Sequence, residues 1–159
     1  MRIKTDLFDD ALSSGNTEIV TWGDQYATGI ELIDSQHKNL VVLTNDLYKA
    51  CLTGHEVIDT AFKEAMHKMA AYVSFHFSTE QELLEKIEFP SWKDHAKEHD
   101  KLVQDILEAA KEYEAGRRYT PYVFVRTLRD WVFGHIAYFD KLYSAYVVEE
   151  KKKGRLQDL

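Results

Sequence analysis

Apolar residues recur at steps of three and four along most of this chain, the spacing of one face of an α-helix. From Asp34 to about Leu52 the stripe reads His37, Leu40, Val41, Thr44, Leu47, Tyr48 and Cys51. Asp34 is a residue type that caps helix starts, and Gly54 one that ends them. A second helix is predicted from about Glu56 to Lys86, closed by Phe89-Pro90. Its stripe is Phe62, Met66, Met69, Val73, His76, Glu80, Leu83 and Ile87. Ser91 offers the cap of a third, with Asp94 favouring the positive end of its dipole. Trp92, His95, His99, Leu102, Ile106, Ala110 and Tyr113 share its inner face, and Gly116-Arg117-Arg118 makes the next connection. Thr120-Pro121 opens the fourth, a cap residue followed by proline at the first helical position. Phe124, Leu128, Trp131, Val132, His135, Phe139 and Leu142 line that helix, and the pattern fades after Tyr146.

Short connections make neighbouring helices antiparallel, so the expected fold is all-α, an up-down four-helix bundle with an N-terminal extended arm. Residues 1–20 lack a clear period and read as that arm, 21–148 as the bundle, and 149–159 as a charged C-terminal tail, a frayed helix end. Trp22, Tyr26, Ile30, Leu32 and Ile33 are expected to pack along the bundle.

Composition narrows the function. A chain of 159 residues suits one domain, and two prolines and seven glycines leave room for long helices. The formal charge of −7 argues against nucleic acid or an anionic membrane as a main partner. No apolar run reaches the roughly 20 residues that cross a bilayer, and Met1 to Ser14 has no apolar signal core. Cys51 has no second cysteine to pair with, so it reads as a reduced, buried thiol, with the cytoplasm as the default compartment.

The chemistry lies on the apolar stripes themselves. Five of the seven histidines and one carboxylate fall there, with a second carboxylate off the last stripe: His37, His76 with Glu80, His95 with His99, and His135 with Asp140. Residues four apart on a helix are offset by only about 40°, so His76/Glu80 and His95/His99 each present two donors inward. A buried imidazole or carboxylate is costly unless paired, hydrogen-bonded or bound to metal. A single histidine on an apolar face is more often a satisfied core residue, but ligand-type residues on all four stripes point to a shared cation. His67 lies about 180° round the helix from His76 and is expected on the surface, as is His55 in the first connection. His135 and Asp140 are about 140° apart, which predicts a local irregularity such as a π-bulge between them.

The same residues carry a family resemblance. Trp22-Gly23-Asp24-Gln25-Tyr26-Ala27-Thr28-Gly29-Ile30 through Ile33-Asp34-Ser35-Gln36-His37 resembles the opening motif of bacterial hemerythrins. His76-Phe77-Ser78-Thr79-Glu80, then Phe89-Pro90 through His95 and His99, then His135-Ile136 and Asp140, complete a resemblance over roughly residues 21–145. It implies a non-haem centre of two iron ions (Fe2+/Fe3+) with a hydroxo or oxo bridge, which binds O2 reversibly. His95, His99 and His135 would saturate one iron. His37 and His76 would hold the other and leave a position open, and Glu80 and Asp140 would bridge both. Leu40, Phe77, Trp131, Val132 and Ile136 lie within a turn of these residues and would form a dry O2 pocket.

The expected function is therefore reversible O2 binding by a carrier, store or sensor, with no catalytic residues. The alternatives are a di-iron enzyme handling O2, peroxide or NO, an iron-storage or iron-sensing protein, and a metal-free structural bundle. A nitrogen-rich donor set favours binding over oxidation, which carboxylate-rich sites support better. Tyr26, Tyr48, Tyr72 and Tyr138 read as packing residues.

Overall fold

A computed structural model describes residue 15 and residues 17–52, 55–117 and 120–157, the side chains of 55–59 excepted. Gly54, Arg118, the side chain of His55 and residues 1–14 lie outside the described residues. After a 3-10 turn at Asp24–Tyr26, four helices follow: α1 (Glu31–Leu52), α2 (His55–Lys86), α3 (Trp92–Glu114) and α4 (Pro121–Lys152). Each helix packs on its chain neighbours, and α4 closes the ring on α1. Gln36 meets His76 and Asn39 meets Tyr72, so α1 and α2 run antiparallel. His95 meets Tyr143 and Tyr113 meets Phe124, so α3 and α4 do too.

The stripes are buried as their spacing requires. A large cluster (Leu40, Leu47, Phe62, Met69, Val73, Leu102, Phe124, Leu128, Val132 and others) fills one end of the bundle. A smaller one (Ile30, Ile33, Leu84, Ile87, Phe89, Tyr143, Val147) fills the other. The polar cluster described below lies between them in chain register. Cys51 is buried in the large cluster, and burial pushes its thiol up to about 12.

Helix ends depart from expectation in three places: the starts of α1 and α3 and the end of α4. Helix α1 starts at Glu31, not at Asp34. Asp34 sits in the first turn and reaches back, accepting from the Thr28 backbone N–H at 2.6 Å, the Thr28 hydroxyl at 2.8 Å and the Gly29 N–H at 3.0 Å. Ser91 occupies the cap position of α3 but makes no side-chain cap bond, whereas Thr120 does cap α4 by accepting from Val123 N–H.

The charged tail is helical through Lys152, beyond the predicted fade. Val147 and Glu150 are buried, Leu156 packs on the small cluster, and Glu150 pairs with Lys153 and Arg155 at 3.2 Å each. Leu142, expected inside, is 54% exposed. The buried line of α4 here is Ile136, Asp140, Tyr143 and Val147, one position round from the line drawn through His135, Phe139 and Leu142.

Candidate metal centre

All seven predicted residues are brought together and buried: His37, His76, Glu80, His95, His99, His135 and Asp140. They form two donor groups whose atoms lie within 4.8 Å of one another. One is Glu80, His95, His99, His135 and Asp140; the other is His37, His76, Glu80 and Asp140. Glu80 and Asp140 belong to both. Helix α4 contributes from its middle, α1 and α3 from their first turns and α2 from its last third, so every donor stands on a helix. His67 is exposed, as expected.

No π-bulge separates His135 from Asp140: α4 is regular throughout. Asp140 lies on the buried line, and the longer His135 side chain reaches in from the flank. Its Nε2 comes within 3.1 Å of Asp140 Oδ1. Phe139 stacks on the His135 ring at 5.2 Å and backs it in that position. The length of an imidazole thus spans an angular offset that a helix distortion was expected to absorb.

The donor orientations suit a cation. His37 Nδ1 is 3.3 Å from the Tyr26 carbonyl, which can only accept, so that nitrogen carries the proton. His76 Nδ1 likewise donates to Gln36 Oε1 at 2.8 Å. Both Nε2 atoms then offer lone pairs, yet they face each other at 3.2 Å. Two facing lone pairs repel unless a proton or a metal lies between them. His99 Nε2 and His135 Nε2 approach carboxylate oxygens at 3.0 and 3.1 Å without hydrogen-bond alignment. With both oxygens of Asp140, they are buried polar atoms lacking a hydrogen-bond partner. Leaving four such atoms unsatisfied would cost several kcal/mol, about 1–3 each. Their convergence on common points is what a pair of bound cations requires, so the donor set fits the two ions.

Without metal, protons fill part of that role. Burial opposes charging His95, but Asp140 and Glu80 outweigh it and raise its pKa to about 9. Burial also opposes charging His37, and Asp140 wins there, raising it. Burial dominates at His76, which falls to about 4, and at His99, which is lowered. His37 Nε2 thus faces both Asp140 Oδ2 and His76 Nε2 at 3.2 Å, and the carboxylate is what favours a proton there. Burial and Asp140 would raise Glu80, but the imidazoles of His95 and His99 bring it down to about 2. Asp140 is driven well below the usual carboxylate range by His135, His37 and His95 against its burial.

Three neighbours were missed in the sequence. Tyr143 is fully buried, and its hydroxyl donates to Glu80 Oε1. Burial, then Glu80 and Asp140, hold its phenol well above its ordinary value, so it stays a donor. Its three-residue step from Asp140 was the available signal, hidden because the stripe was drawn through Leu142. Gln36 supports His76, and the Gln81 amide lies 3.3 Å from His99 Nδ1. As placed, Gln81 Nε2 donates to that nitrogen; the flipped amide, carbonyl to the ring, is the one that would hold the proton on Nδ1 and leave Nε2 free to ligate. Of the expected pocket residues, Leu40, Phe77, Val132 and Ile136 are buried and Trp131 partly so. Phe77 stacks flat on His99 at 3.8 Å.

The family model of the hemerythrin HHE cation binding domain matches residues 28–147. The chain belongs to this family. Bacteriohemerythrin of Methylococcus capsulatus is 29% identical over 127 residues, covering 79% of this chain and 95% of its own. Bacteriohemerythrin of Pseudomonas aeruginosa is 30% identical over 142 residues, covering 85% and 90%. A solved structure of wild-type hemerythrin superposes with a TM-score of 0.70 at 29% identity, covering 80% of this chain and 96% of that one. Hemerythrins bind a non-haem di-iron centre, and the two donor groups here are positioned for metal.

Proposed function

We propose that this hemerythrin binds O2 reversibly at a di-iron centre and does not turn it over, acting as a carrier, store or sensor. The observation that carries the reading is the sharing of Glu80 and Asp140 between two donor groups of unequal size. In that reading Glu80 and Asp140 would be shared by the two ions, with His95, His99 and His135 holding one and His37 and His76, the smaller group, holding the other. The iron pair supplies the two-electron chemistry by which O2 is taken up and released.

The chain's own residues set the conditions for reversal. The Tyr26 carbonyl and Gln36 fix the tautomers of His37 and His76, keeping both Nε2 atoms free to ligate. Tyr143 holds one oxygen of Glu80, so the carboxylate keeps its orientation when charge shifts at the site. Leu40, Phe77, Trp131, Val132 and Ile136 form the O2 pocket, and their apolar surfaces exclude the water that would carry protons in. What supports binding over turnover is that no buried carboxylate beyond the donor set faces the site among the described residues. Among the described residues, the only other buried carboxylate is Glu150, which pairs with Lys153 and Arg155.

The expected ligand is O2. The acidic balance of the chain supports no role for nucleic acid, and no described helix is long and apolar enough to cross a membrane. Anaerobic reduction followed by air tests the function. A visible charge-transfer band is expected to appear with O2 and leave under vacuum. Irreversible bleaching or repeated O2 consumption would favour an enzyme. Glu80→Ala is expected to lose iron as well as O2 binding, measured by elemental analysis. Retention of both ions at full affinity would refute the bridging role.

A further inference from the structure

The segment from Gly23 to Gly29 gives the cluster no side-chain donor, yet it supplies the polar partner of His37 Nδ1, the Tyr26 carbonyl. His37 is fully buried, so its ring direction depends on where that carbonyl sits. The segment is one 3-10 turn followed by extended chain, with no regular ladder to hold it. It is fixed from outside. Lys141 Nζ donates to the Asp24 carbonyl at 3.0 Å and to the Ala27 carbonyl, one on each side of Tyr26. Ser144 Oγ donates to the Thr28 carbonyl at 2.6 Å. Both side chains stand on α4, next to Asp140, whose Oδ2 lies 3.2 Å from His37 Nε2. Asp34 on α1 holds the far end of the strap through Thr28 and Gly29, while the α4 stretch that faces His37 Nε2 through Asp140 ties down, through Lys141 and Ser144, the carbonyls on either side of the one facing Nδ1.

We infer that Lys141 is a positioning residue for His37, clamping the strap that fixes the ring's tautomer and direction. This rests on His37 being a ligand. Its ammonium carries three donors on a flexible stem, enough to serve two carbonyls at once. Losing an outer-shell hydrogen bond of this kind typically costs about 10–100-fold in metal affinity.

The test uses the iron-loaded protein. Each ligand imidazole has an N–H whose proton resonance is shifted by the nearby iron and exchanges with solvent. Lys141→Met keeps the stem and removes the donors. It is expected to move one such resonance, speed its solvent exchange about 10-fold, and speed chelator removal of one of the two ions by a similar factor. The other imidazole resonances should stay in place, which general destabilisation would not allow. Amides 24–29 should exchange faster by mass spectrometry. Lys141→Arg, which can still donate to two carbonyls, should restore all of these. Ser144→Ala should move the same resonance by less, and serves if Lys141→Met does not load iron. If the strap amides open while every imidazole resonance is unchanged, or if Lys141→Arg behaves like Lys141→Met, the proposal is wrong. A wild-type protein with no iron-shifted imidazole resonance would overturn the ligand assignment itself and this proposal with it.

Discussion

Single side chains here separate holding a metal from protecting its ligand. Val132 is 1% exposed and packs in the large cluster beside the proposed O2 pocket. Val132→Ala removes two methyl groups, which should cost about 2 kcal/mol and open a void next to the site. Decay of the O2-bound form, followed by stopped-flow absorption, should be several-fold faster as water enters. An unchanged lifetime would remove Val132 from the pocket wall. Tyr143 works differently, because its hydroxyl satisfies a buried carboxylate oxygen. Tyr143→Phe should lower stability by about 1.5–3 kcal/mol, the range for hydrogen bonds to charged groups, seen as a lower Tm. It should leave both ions bound, since seven donor residues remain. A Tm equal to wild type would mean Glu80 gains nothing from the phenol. The two variants should differ in kind: Val132→Ala in the rate of loss of bound O2, Tyr143→Phe mainly in folding stability.

At the level of elements, three helix ends share one geometry and differ in one residue. Each closes with a bond from the third residue past the helix end to a carbonyl five earlier. These are Phe89 N to Leu84 O, Arg117 N to Glu112 O and Arg155 N to Glu150 O. The residue before each donor is left-handed: Glu88 at φ 55°, Gly116 at 66° and Gly154 at 72°. Glycine adopts that conformation without cost, while glutamate pays about 1 kcal/mol. Glu88→Gly should therefore stabilise the protein by about 1 kcal/mol in chemical denaturation, with unchanged iron content. No gain would show that Glu88 makes compensating contacts. The contrast explains what could be read in advance. Gly116 announces its turn, but Glu88 does not, and only Phe89-Pro90 marked that boundary. The four stripes were legible because burial repeats every turn. Six donors were legible because polar residues on an apolar stripe break its chemistry, and Asp140 through the family resemblance. The start of α1 was not, because Asp34 resembles a cap while acting from inside the first turn. Nor was the path of His135, since its reach depends on side-chain length, which periodicity ignores. Tyr143 escaped because it fits an apolar stripe as well as any phenylalanine.

For the whole molecule, the bundle is built around charges that it cannot leave alone, and removal of metal should reveal this through pH. In the iron-free protein His95 is raised to about 9, because its charged ring, though penalised by burial, answers Asp140 and Glu80. A raised histidine contributes stability that is complete below the unfolded value of about 6.5 and is lost as pH climbs through about 9. His76 is lowered to about 4 by burial, so its contribution is present above about 6.5 and is lost as pH falls toward 4. Glu80, at about 2 despite its burial, adds a loss on the acid side that begins near the ordinary carboxylate range. Iron-free protein should therefore be most stable near pH 6.5, with Tm falling on both sides. On the alkaline side the cause is specific: once His95 gives up its proton, Glu80 and Asp140 face each other without that counter-charge. Bound iron replaces the proton with charge that does not titrate. The loaded protein should hold its Tm between pH 6.5 and 9, while the iron-free form loses several degrees over the same interval. Paired thermal melts of the two forms in matched buffers measure the difference. Parallel curves would mean that His95 is not the counter-charge, and that the two carboxylates are held by something other than a cation they share.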